Sequence, residues 1–216
     1  DMKEYAKAGC HAVQIPSTIA GSGYYEPCYE PLWATAQELG LVLAIHSGTG
    51  QGQKRKRVGV AREGDVRKQV IDMNRPLPAV EFISNLIFSG VFDRYPELRV
   101  VCTEFDAGWV AGMIERLDYA FGRESTYDSE RNIIKFEPSE YIRRNIFFSV
   151  EDDRAGVLTT PLYGEDNFLW GSDYPHHVTT WPHSGETFEA NCQGFPPSLA
   201  RKLGRDNAIR VYNLNL

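Results

Sequence analysis

Hydrophobic positions along this chain fall into short dense runs, separated by longer stretches with helical spacing. Residues 10–16 (CHAVQIP) form a β-favouring run that Pro16 ends. Residues 21–25 read as loop. Pro31 stands where the first turn of a helix would be, and Leu32, Trp33, Ala36 and Leu39 recur at helical spacing until Gly40. Residues 41–46 (LVLAIH) are apolar until the last position, the pattern of a strand buried on both faces. The glycine-rich 47–52 predicts a flexible loop, and 53–78 are polar and irregular. Helical periodicity resumes over 79–88 through Val80, Ile83 and Ile87. Residues 98–103 predict another strand, ending at Glu104. Asp106 is expected to cap the next helix, whose stripe is Val110, Met113, Ile114, Leu117 and Phe121, with Gly122 as its stop. Residues 145–150 (NIFFSV) and 167–172 predict the last two strands. Helical patterns near 197–203 and 205–213 close the chain.

Strand alternating with helix implies parallel strands joined by crossover helices. Each informative polar residue then sits at a strand end: His46, Glu104, Glu151 and Asp173. Chemistry in such folds lies beyond the carboxyl ends of the strands, so these four are expected to converge on one face. A doubly wound sheet fits the same alternation. The chain has neither GxGxxG nor GxxxxGK, which tilts the expectation towards a barrel.

Composition narrows the class. Hydrophobic residues are 42% and charged residues 24%, ordinary globular usage that excludes a disordered chain. A net charge of −6 gives no basic footprint for nucleic acid, and no apolar run approaches the ~20 residues of a membrane span. Cys10, Cys28, Cys102 and Cys192 are scattered, without a CxxC pair. Reduced thiols in a cytoplasmic protein are therefore expected.

The candidate residues each carry a plain and a chemical reading. His46 is either a hydrogen-bonded strand-end histidine or a metal ligand, since neutral imidazole is the commonest protein ligand. Asp173 is either a turn former or a metal ligand that also handles a proton. Glu104 is either a surface carboxylate or a third member at the level of His46. The basic run 51–57 (QGQKRKR) is either a solvated loop or a lid in which Lys54, Arg55 or Arg57 meets an acidic substrate. His176 and His177 are adjacent, so at most one faces a common site. Trp109 and Trp181 are core packing or pocket walls.

Several segments are familiar together: IHSG at 45–48, FSGVFDRYPELR at 88–99, TEFDAGW at 103–109, ERLD at 115–118, WGSDYPH at 170–176, WP at 181–182 and NA at 207–208. Over almost the whole chain they resemble the amidohydrolase superfamily, and within it the branch of the aminocarboxymuconate-semialdehyde and aromatic-acid decarboxylases. The resemblance implies an α/β fold, a distorted (β/α)8 TIM barrel holding one divalent metal. Zinc is the first expectation, manganese and iron the alternatives. The family draws ligands from a His-x-His pair on strand one, a His ending strand five and an Asp ending strand eight. His46 matches the fifth-strand His and Asp173 the eighth-strand Asp. Where the sixth strand usually ends in a catalytic His, this chain has Glu104. Trp109, His176 and Arg55 are the expected substrate-binding residues.

On this mapping the five predicted strands are strands four to eight of one barrel domain over 1–216. No His-x-His occurs; the remaining histidines are His11, His176, His177 and His183. Strands one to three are therefore expected from about 90 or more residues upstream, at roughly 30 residues per barrel unit. The leading functional expectation is a hydrolase in which a metal-activated water attacks a small organic substrate, with Asp173 taking the water's proton. The alternative is a metal-dependent non-oxidative decarboxylase of a small or aromatic carboxylic acid, with Glu104 or Asp173 as the acid. The third is a metal-free binding protein of the same fold. Expected partners are a small organic acid or ring compound and a second copy of the chain in a homodimer, with neither nucleic acid nor membrane.

Overall fold

The computed structural model describes residues 1–20, 23–50, 73–127 and 134–215. In chain order the main elements are α1 (Met2–Lys7), β1 (Ala12–Ile15), α2 (Glu30–Glu38), β2 (Val42–His46), α3 (Leu77–Phe88), α4 (Val91–Arg94), β3 (Arg99–Thr103), α5 (Val110–Tyr127), α6 (Pro138–Asn145), β4 (Ile146–Val150), α7 (Arg154–Tyr163), β5 (Phe168–Trp170), α8 (Ser184–Cys192), α9 (Pro197–Arg201) and α10 (Asn207–Tyr212). The strands form one sheet in the order β1-β2-β3-β4-β5, every neighbouring pair parallel. This is the α/β arrangement expected from the alternation, a sequentially ordered parallel wall of a barrel.

The register sorts the strand residues into two layers. Leu43, Val100 and Ile146 align across β2, β3 and β4, and so do Ile45, Cys102, Phe148 and Phe168 one step further, reaching β5. These side chains face the helices and join Trp33, Phe82, Ile83, Leu86 and Tyr141 in the larger core. Burying one such aliphatic or aromatic side chain contributes about 1.5–3 kcal/mol, so this layer dominates cohesion. The opposite layer carries Val42, Val101, Phe147 and Leu169, and Val211 of α10 packs across it. Because side chains alternate along a strand, His46 shares the layer of Val42. The same layer ends in Thr103 and Ser149 at the C-terminal rim. One end of this layer is thus closed by α10, and the other presents polar side chains.

Several local expectations are corrected. The strands near 10–16 and 167–172 are shorter than predicted, because Pro16 and the loop at Gly171 end the ladder. Helix α5 does not stop at Gly122 but continues to Tyr127. Among the described residues Asp106 makes no side-chain hydrogen bond to the start of α5; the N–H groups of Ala107 and Gly108 donate to the Asp153 carboxylate. The start of the 47–52 loop is tied down: the Ser17 hydroxyl donates to the Thr49 carbonyl at 2.7 Å, and the Thr49 hydroxyl donates to the His46 carbonyl at 2.7 Å. No helix among the described residues is long and apolar enough to cross a membrane.

Candidate metal and active site

The rim of the sheet gathers His46 from the end of β2, Glu104 just past β3, and Asp173 and His176 from the loop after β5. Glu104 stands between the others. Its Oε2 lies 3.4 Å from His46 Nε2 and its Oε1 3.9 Å from His176 Nδ1. Asp173 Oδ2 is 2.7 Å from His176 Nδ1. Ligand atoms of Glu104, Asp173 and His176 all lie within 4.8 Å of one another. His46, Glu104 and Asp173 thus come together at one rim of the sheet, with Glu104 between the others.

The supports come from the same strand ends. His46 Nδ1 is 2.8 Å from the Ser47 carbonyl, which can only accept. That bond places a proton on Nδ1 and turns Nε2 towards Glu104. The Ser47 hydroxyl donates to Glu104 Oε2 at 2.9 Å, and the Glu104 N–H donates to the Ser149 hydroxyl at 3.1 Å. Glu104, Asp106 and Asp173 have φ of 59°, 52° and 55°. A non-glycine residue in the left-handed region carries strain of about 1–3 kcal/mol, and such residues cluster at functional sites.

The electrostatics separate the two central carboxyls. Burial and a hydrogen bond shared with Asp173 raise the Glu104 pKa, against the lowering pull of Ser47 and His46. Burial also pushes the Asp173 carboxyl up, but its hydrogen bonds with Glu104 and His176 outweigh this and hold it below the usual range. Two neighbouring carboxyls whose pKa values are pushed apart are the pattern of an acid–base pair. The donor set, imidazole nitrogen with carboxylate oxygen, also suits a divalent cation.

The other expected residues divide. His176 is at the site and His177 is behind it, with its Nδ1 3.2 Å from His176 Nε2. Trp109 is committed to packing: its Nε1 donates to the Phe105 and Asp106 carbonyls at 2.9 and 3.0 Å, and its ring meets Phe148 edge-on at 5.8 Å. It also lines a cavity with Leu77, Val80 and Met113. Trp181 is exposed and packs on Tyr174. Arg55, with Lys54 and Arg57, lies outside the described residues. Ser47 and Ser149 are site residues that periodicity does not flag, since their roles depend on register.

The Amidohydrolase family model matches residues 2–214. The chain belongs to this family. Among curated relatives, the 2-amino-3-carboxymuconate-6-semialdehyde decarboxylase of Dictyostelium discoideum is 28% identical over 168 residues, covering 77% of this chain and 44% of the relative. The gamma-resorcylate decarboxylase of Rhodococcus jostii (strain RHA1) is 23% identical over 201 residues, covering 89% and 56%. The chain thus spans about half the length of the curated relatives it matches. Among solved amidohydrolase-fold structures, 5-carboxyvanillate decarboxylase from Sphingomonas paucimobilis superposes with a TM-score of 0.76 at 22% identity, covering 99% of this chain and 62% of that one. The 5-carboxyvanillate decarboxylase of Novosphingobium aromaticivorans, solved with manganese and 4-hydroxy-3-methoxy-5-nitrobenzoic acid, superposes at 0.71 with 20% identity, covering 94% and 56%. These likenesses establish the fold.

Proposed function

We propose that this chain forms part of a metal-dependent, non-oxidative decarboxylase acting on a small or aromatic carboxylic acid. The observation that carries this reading is the Glu104 carboxyl, its pKa raised by burial, bridging His46 to the Asp173–His176 pair. The names of both curated relatives support it over the hydrolytic expectation. His46 and Asp173 are the residues that would hold the divalent ion, zinc by family resemblance and manganese by the neighbour solved with it. Such an ion supplies Lewis-acid polarisation of a carboxylate substrate.

The residues' own work follows from their protonation. Loss of carbon dioxide breaks a carbon–carbon bond and leaves an electron pair that must take up a proton. Glu104, whose pKa is raised chiefly by burial, is the proposed donor of that proton. Asp173 stays ionised and, with His176 fixed against it, orients the donor. Ser47 donates to the Glu104 oxygen nearest His46 and so helps to orient the carboxyl.

A panel of hydroxylated benzoates and muconate-type acids, offered to the metal-loaded native protein, tests this. The expected result is carbon dioxide released in step with substrate loss. Cleavage of amides or esters without carbon dioxide would move the reading to a hydrolase. A protein that holds no metal and turns over neither class would be a binding protein of the same fold.

A further inference from the structure

Residues from the N-terminal halves of α3 and α5 line a cavity of about 420 Å³, within the ~300–1,000 Å³ range of small-molecule sites. None of His46, Glu104, Asp173 and His176 lines it, so it is separate from the rim of the sheet. Leu77 and Val80 face it from α3. Trp109, Gly112, Met113 and Arg116 face it from the start of α5, spaced i, i+3, i+4 and i+7 and so on one side of that helix. The Trp109 indole is a fixed wall, because its Nε1–H is already bound to the Phe105 and Asp106 carbonyls. Two residues give the cavity its character. Gly112 stands inside α5, where glycine costs about 1 kcal/mol relative to alanine. A Cβ there would meet nothing within 4 Å, so no close approach demands the glycine, and its effect is to leave the cavity open. Arg116 is the one charged residue among the described residues that line the cavity. Its guanidinium carbon lies 5.0 Å from the Tyr119 ring centroid, and among the described residues it is paired with no carboxylate.

We propose that this cavity is a second binding site, for a free amphipathic monocarboxylic acid, with the hydrocarbon part against Leu77, Val80, Trp109 and Met113 and the carboxylate on Arg116. The argument is complementarity of charge and polarity. An apolar wall that ends in a single cation without an acidic partner matches a molecule with an apolar body and one anionic end. A neutral apolar molecule fills the same wall but leaves the guanidinium unmatched, and a cation is repelled by it. The site takes no part in the rim chemistry, so it stands whether the reaction there is a decarboxylation or a hydrolysis.

Calorimetric titration of the native protein with octanoate and with 1-octanol tests this, beside carbon-13 methyl spectra in which Met113 reports on the cavity. Octanoate should bind about tenfold more tightly than octanol, the scale of one charge-assisted hydrogen bond, and should shift the Met113 methyl signal. Arg116→Gln should bring octanoate down to the level of octanol. Gly112→Leu places a side chain in the open space and should weaken octanoate and octanol alike by at least tenfold. Were Gly112→Leu to misfold, the exposed substitution Arg116→Gln still decides. Equal octanoate binding by the parent and Arg116→Gln, or an unmoved Met113 signal, overturns the proposal. Octanoate binding that survives in a folded Gly112→Leu also overturns it and moves the acid to the rim of the sheet. Failure of octanoate to bind the parent overturns it too, and a change of oligomeric state in Gly112→Leu would then make the cavity a contact between copies of the chain.

Discussion

Asp173 has to satisfy its backbone and its chemistry at once. Its φ of 55° is in the left-handed region, where aspartate and asparagine are tolerated better than other side chains. Its Oδ2 meets His176 at 2.7 Å and its carboxyl shares a hydrogen bond with Glu104. Asparagine keeps the backbone preference and the side-chain shape but removes the charge, and an amide oxygen is a weaker ligand for a hard cation. Asp173→Asn should therefore lower turnover by at least about 100-fold, the scale of losing a general acid–base partner. Its melting temperature should stay within a few degrees of the parent. Carbon dioxide release and thermal unfolding, run side by side, check both halves. Near-parental turnover with metal still bound would remove Asp173 from its proposed role. The residue stood out in the sequence as an acid shortly after an apolar strand, between Gly171-Ser172 and Tyr174-Pro175, although a turn former there would look the same.

Between elements, the Asp153 carboxylate gathers three backbone donors. Its Oδ1 accepts the Gly156 N–H at 2.9 Å at the start of α7. Its Oδ2 accepts the N–H groups of Ala107 and Gly108 at 2.6 and 2.8 Å, in the turn between Glu104 and α5. A Cβ at position 156 would lie 2.4 Å from Asp153 Oδ2, and one at position 108 would lie 2.9 Å from the Ala155 Cβ, so the close approach needs glycine at both. Asp153→Ala removes a helix cap and leaves two further donors unpaired, a loss of about 2–4 kcal/mol. For a chain of this size that lowers the melting temperature by roughly 5–15 °C. A change under about 2 °C by calorimetry would show that solvent replaces these bonds freely. This clamp also shows where sequence reasoning stops. Asp106 has the residue type of a cap before an amphipathic stripe, yet the donors near α5 go to Asp153, more than 40 positions away, and only tertiary packing decides that. Gly122 looks like a stop, but one glycine costs only about 1 kcal/mol in a helix, and α5 continues past it to Tyr127. Helices α4 and α6 span too few residues for a 3.6-residue period to stand out. Strands β2 to β5 were legible because they are largely buried on both faces and therefore mostly apolar. The strand-end acids and His46 stood out against that background. Ser47 and Ser149 did not, because a serine next to a strand is ordinary until the register sets it beside Glu104.

At the scale of the whole sheet, the two edges differ. The β5 edge is short and partly covered: Asn207 Nδ2 donates to the Phe168 carbonyl at 2.7 Å and to the Glu165 carbonyl at 2.8 Å. The NA pair at 207–208, part of the family resemblance, thus has a structural use in holding α10 against β5. The β1 edge is open among the described residues. Val42 N–H donates to the His11 carbonyl at 3.0 Å. In a parallel ladder alternate residues bond to the same side, so the N–H and C=O groups of Ala12 and Gln14 point away from β2. An exposed edge of this kind is a template for pairing with another strand. Residues 1–216 prepared alone should therefore self-associate in a concentration-dependent way, measurable by light scattering after gel filtration. Gln14→Pro removes one outward donor without touching a β1–β2 hydrogen bond, and proline is tolerated on edge strands. The association of this variant should be weaker, with little change in the melting of whatever monomer remains. A parent chain that stays monomeric at high concentration and melts cooperatively would mean that the β1 edge is already satisfied. Equal association of parent and Gln14→Pro would place the sticking surface elsewhere, with the apolar cavity lined by Leu77, Val80 and Met113 the next surface to alter.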